Sequence, residues 1–174
     1  MAYQKLQVSE GLPVIVGAVR IPDPNTVVVL DTLTGSTIGS ADFSALNILT
    51  DVGTKFTEAG ILPGAIIYNT TASRAYYVVS VDSDTQLTLS VGTAGGAVDK
   101  YSIYTQPTKG CILFVGVTGD VAVQMAGING NTLFAPPPAN EEITFKNIGS
   151  GCFMPTQVVR VAKQTTATDI LALW

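Results

Sequence analysis

GCILFVGVTGDVAVQMA, residues 110–126, decides the fold class. Gly110–Val117 is an almost unbroken apolar run, Thr118-Gly119-Asp120 is a turn, and Val121, Val123 and Met125 then fall on alternate positions. Alternation marks a strand with one wet face. Helical periodicity is almost absent.

The same pattern extends in both directions. Glu142–Asn147 alternates, with Ile143 and Phe145 apolar; Gly149-Ser150-Gly151 turns the chain into Thr156–Ala162; and Asp169–Trp174 is a terminal strand. Gly127–Glu141 is a long hairpin loop holding Asn129-Gly130, Phe134 and Pro136-Pro137-Pro138. Most hairpin loops have about 2–5 residues, so it reads as a contact element or a mere insertion. Chain ends usually fray; one that is apolar up to Trp174 is expected to be buried, in its own core or against a neighbouring subunit.

Toward the N-terminus, Ser44–Gln106 is a compact unit with strands over Ala65–Asn69, Ala75–Val81, Gln86–Ser90 and Tyr101–Thr105. Phe56–Ala59 is expected to form a helical turn, Asp82-Ser83-Asp84 a hairpin turn, and Gly92–Gly96 a flexible tip. Residues 31–43 read as a polar connector, and Leu12–Ile21 and Val27–Leu30 as extended runs around a Pro22–Asn25 turn. The expected fold is all-β: a sandwich or barrel core with an inserted small β module. Residues 1–43 would be an N-terminal arm joining the core, 44–106 the inserted module, and 107–174 the C-terminal core.

Composition narrows the function. Charged residues make up 13% of the chain, about half the usual ~25%, which fits a Thr-rich surface or one largely buried in partners. Nine cations against 13 anions give a net charge of −4, with no basic stripe for nucleic acid or an anionic membrane. No apolar stretch is long enough to span a bilayer. Glu10 and the Gly and Pro residues near it spoil a signal-peptide reading, so synthesis in a cytoplasm is expected. There, Cys111 and Cys152 read as two buried thiols, with a cross-strand disulfide as the alternative.

Little in the chain points to catalysis. It has no histidine, which removes the commonest general base and metal ligand. Asp82 and Asp84 begin like a calcium loop but lack its Gly and distal Glu. Glu141 and Glu142 are adjacent on an extended chain and point to opposite faces. Asn69-Thr70-Thr71 is formally a glycosylation sequon, read here as a turn. No catalytic, cofactor-binding or metal residue is assigned, and an enzyme is the weakest reading. Arg160, between Val159 and Val161, reads as a solvated cation, with an acid partner as the alternative.

From Lys109 onward the chain resembles the head-spike base proteins of tailed bacteriophages and gene transfer agents. The matching residues are Val115-Gly116, a hairpin at Gly119-Asp120-Val121, Thr144-Phe145-Lys146-Asn147, Gly151, Pro155, Val158, Arg160-Val161, Thr165–Asp169 and Ala172-Leu173-Trp174. The middle unit, through Pro63-Gly64, Ile67–Thr71 and Val81–Leu89, is similar to a β module of phage structural proteins. Family members usually have a short loop where this chain has Gly127–Glu141. The resemblance implies a non-enzymatic virion protein: a capsid decoration, cement or head-spike base protein on the head exterior. Its partners would be copies of itself, as a homotrimer or homopentamer, the major capsid protein, and a head fibre or spike. Trp174, the N-terminal segment and the long loop would make the contacts. A glycan- or fibre-binding adhesion module and a tail or baseplate protein are the alternatives.

Overall fold

Short runs of alternating side chains, punctuated by Gly, Pro, Asn and Asp, resolve in the computed structural model into two antiparallel sheets. It describes residues 10–31, 34–93, 95–126 and 141–174. Twelve strands occur among them. The first sheet contains β1 (Gly11–Pro13), β8 (Cys111–Val117), β9 (Gly119–Met125), β10 (Ile143–Ile148), β11 (Cys152–Val161) and β12 (Thr168–Leu173), in the order β1-β12-β8-β11-β9-β10. The second contains β2 (Gly39–Ala41), β3 (Ile48–Thr50), β4 (Ile66–Asn69), β5 (Arg74–Ser83), β6 (Gln86–Leu89) and β7 (Asp99–Tyr104), in the order β2-β7-β4-β5-β6-β3. The fold is all-β, and the second sheet lies between β1 and β8 in the chain.

The first sheet curls around one core. Leu113 and Val115 of β8, Ile170 and Ala172 of β12, Val121 and Val123 of β9, and Val158 and Val161 of β11 pack together and are buried. β11 makes the curl possible, because it pairs with β8 through Cys152–Met154 and with β9 through Val158–Val161, its register to β8 shifting between Met154 and Val158. Pro155 sits in that break; it has no N–H to donate, and bulges are where strands accept it. β8 and β9 are consecutive but do not pair, since β11 lies between them. The expected Gly119-Asp120 hairpin is therefore a corner. Gly119 is required there for another reason: a Cβ would lie 2.4 Å from the Ala167 backbone nitrogen.

The second sheet nearly closes into a barrel. Asp42 and Thr50 exchange backbone hydrogen bonds of 2.8 and 2.9 Å, joining the ends of β2 and β3. Inside, Phe43 stacks on Tyr76 and meets Tyr101 edge-on, with ring centroids 6.0 and 5.9 Å away. Tyr101 donates to buried Asp51 at 2.7 Å. The residues read as a connector thus supply a strand, β2, whose Gly39 lets the Tyr101 ring approach. The expected helical turn is present, with Ala59 N–H donating to the Lys55 carbonyl at 2.9 Å. Gly92–Gly96 does not behave as a free tip: a Cβ on Gly95 would strike Asp99 and Phe43, and Gly96 N–H donates to the Asp99 carboxylate.

The N-terminal segment lies between the two sheets. Val14, Gly17 and Ile21 donate to the carbonyls of Ile170, Val161 and Val159, each at 2.9 Å. On its other side, Leu12, Ile15, Ala18 and Val19 pack against Ile66, Tyr68, Tyr77 and Tyr104 of the barrel, which is why β4 is buried on both faces. The Tyr68 hydroxyl accepts from Ile15 N–H at 2.9 Å and donates to the Pro13 carbonyl at 3.3 Å. The stretch 1–43 accordingly divides, Gly11–Pro13 joining the first sheet and Gly39–Ala41 the second.

Candidate functional site

β8 is apolar on both faces, but the described residues cover only one of them. Cys111, Leu113 and Val115 point into the core, while Ile112 and Phe114 point away and are only partly buried. The strand register builds a surface from them. Pro13 pairs with Leu171, Leu171 with Phe114, and Phe114 with Phe153, so four apolar residues on four strands form one row. Gly11, Leu173 and Ile112 form the adjacent row. Phe153 is 54% exposed and Leu171 36%. The Phe114 and Phe153 rings lie 5.2 Å apart, so the row is a packed surface. No charged side chain belongs to either row.

A recess lies where β10 approaches the start of β11. A groove of about 340 Å³ is lined by Phe145, Ile148, Cys152, Phe153, Met154 and Pro155. Phe145 and Ile148 belong to edge strand β10, and both rest partly buried against the core. Cys152 and Met154 pair with the core-facing Val115 and Leu113, so with Phe145 and Ile148 they belong to the core side of the sheet, opposite the outward Phe153 ring.

The residues singled out from sequence fall elsewhere. Trp174 is not a free contact: it is partly buried against its own core, and its indole N–H donates to Thr108 Oγ1 at 2.9 Å. The N-terminal segment is likewise internal, with Ala18 and Ile21 buried. The Phe134 and triple-proline part of the long loop lies outside the described residues. The outward row was overlooked, although its signal was present: Gly110–Val117 is a run that predicts cover on both faces.

Arg160 is not solvated. It is buried, donates through Nε to the Ala18 carbonyl at 3.0 Å, and pairs with Glu142 at 2.6 Å. Gln164 also donates to Glu142. Nearby, Gln124 donates to Glu141 at 3.2 Å. The cysteines are both free, and they differ. Cys111 is buried, its thiol donating to the Val158 carbonyl at 3.2 Å, and burial pushes its pKa up to about 12. Cys152 is exposed, contrary to the expectation of two buried thiols.

Several candidate polar groups carry structural roles. Asn69 of the sequon is fully buried, its amide donating to Asp99 at 2.8 Å and its carbonyl oxygen accepting from Ala72 N–H. Asp82 accepts from Ser80 and Thr88, both at 2.7 Å. Asp120 accepts from Lys146 Nζ and Asn147 N–H, bonds that hold its carboxyl below the ordinary value. Among the described residues no group of three His, Cys, Asp or Glu could hold a metal ion, and no helix is long and apolar enough to cross a membrane. Comparison of the chain with protein-family models, with curated proteins and with solved structures finds no match.

Proposed function

We propose that this chain is a structural protein of a tailed-phage particle, a capsid decoration, cement or head-spike base protein that works by packing. The observation that carries the reading is the apolar face of β12, β8 and β11, which the described residues leave uncovered. An apolar patch of this kind marks a contact surface, and on a chain with so few charges it has little else to do in water. The resemblance from Lys109 onward supplies the setting: the exterior of the head, with the major capsid protein beneath and copies of the chain alongside in a homotrimer or homopentamer. A head fibre or spike would stand on that assembly.

Fractionating virions into heads and tails and identifying their proteins by mass spectrometry tests the reading. The chain should appear in stoichiometric amounts with heads. Recovery with tails would move it to the baseplate, and recovery only from the particle-free lysate would overturn a structural role.

A further inference from the structure

A larger recess, of about 580 Å³, opens where the barrel meets the first sheet, and Arg20, Gln106, Thr108 and Lys109 line it. Backbone hydrogen bonds fix its sides against each other: Ile21 N–H donates to the Val159 carbonyl and Thr108 N–H to the Ile21 carbonyl, both at 2.9 Å. Among the described residues the lining holds two cations and no acid, on a chain whose net charge is −4. We propose that this recess binds an oxyanion, a carboxylate or phosphate group, held by Arg20, Lys109 and the Thr108 hydroxyl.

Thr108 points to an acceptor. A hydroxyl has two acceptor sites and one proton to give. Thr108 Oγ1 accepts from Trp174 Nε1 at 2.9 Å and from Gly110 N–H at 3.1 Å, which fills both sites. Its own proton has no acceptor among the described residues, although the residue is only 3% exposed. A buried donor in that position favours a ligand that brings an oxygen. The two cations set the charge of that oxygen, since charge-assisted hydrogen bonds are the stronger kind. Lys109 is exposed and forms no ion pair among the described residues, so no acid of its own chain neutralises it. Arg20 is half-buried, where a cation is screened less than at an open surface. None of the lining residues belongs to the apolar rows on β12, β8 and β11, so the assignment does not rest on the proposed function.

Trp174 is the chain's single tryptophan, and its bond to Thr108 makes its emission a reporter of the site. Inorganic phosphate or acetate is titrated against the full chain, with chloride holding the ionic strength constant. A saturable change in emission and a matching heat in calorimetry are expected. Saturation with phosphate assigns a phosphate group; saturation with acetate assigns a carboxylate, the form an acidic side chain of a partner would take. Lys109→Ala, at an exposed side chain, and Arg20→Gln should each raise Kd about tenfold, with the circular dichroism spectrum unchanged. Lys100→Ala, at an exposed cation outside the recess, should leave Kd where it was. If Arg20→Gln fails to fold, Lys109→Ala alone decides. Neither heat nor emission change with either anion overturns the proposal, and so does a Kd that ignores Lys109→Ala.

Discussion

Arg160 joins three distant parts of the chain. Its guanidinium holds Glu142, at the end of the long loop, and the Ala18 carbonyl of the N-terminal segment. Both side chains of the pair are only 9% exposed. Removing one member of a buried pair strands the other charge without water. Arg160→Ala should therefore cost about 3 kcal/mol or more in urea unfolding, whereas a double replacement of Arg160 and Glu142 by Met should cost far less. An equal loss in the two proteins would show that packing, and not charge, is what Arg160 supplies. The thiols give a second residue-scale outcome. Ellman's reagent at pH 8 should react with one thiol in the native protein, Cys152, and with two after denaturation, since Cys111 is buried with a pKa near 12. Neither contrast could be read from sequence. Arg160 meets partners 18 and 142 residues away, and the two cysteines have nearly the same Gly-flanked apolar surroundings.

At the scale of elements, β12 stitches the first sheet together, pairing with β1 on one side and β8 on the other. Its two faces do different work: Ile170 and Ala172 enter the core while Leu171 and Leu173 point outward. Deleting Leu171–Trp174 should remove the register of β1 and expose the core, so the truncated chain should lose cooperative thermal unfolding. A sharp transition retained after truncation would refute this account of the sheet. Strands such as β6 and β9 were legible because alternation and turn residues coincide. β2 and β3 were not, since three residues of small or mixed character carry no period. The pairing order was also hidden, because the crossing of β11 depends on a break at Pro155 that only tertiary packing reveals. The outward face was half legible: the unbroken run in β8 said that both faces wanted cover, but the register across Leu171, Phe114 and Phe153 was needed to locate it.

For the molecule as a whole, buried tyrosines set a boundary on the alkaline side. Burial raises the phenol pKa values of Tyr68, Tyr77, Tyr101 and Tyr104, that of Tyr77 to about 12. Hydroxyls raised above their unfolded value of 10.0 favour the folded state fully below that pH. Their contribution is then lost as pH climbs through the folded values. The melting temperature should fall steeply between pH 10 and about 12, and Tyr68→Phe with Tyr101→Phe should make the fall shallower. A melting temperature that is flat to pH 12 would contradict the burial of these rings. The barrel has one further property. Its chain comes in and goes out at a single doorway, where Asp23 N–H donates to the Gln106 carbonyl at 3.2 Å and Thr105 N–H to the Thr26 carbonyl at 3.0 Å. Two ends held this close let the whole barrel be treated as a cassette. A foreign domain whose termini sit equally near could be spliced in at the doorway and displayed, while the strands of the first sheet keep their partners.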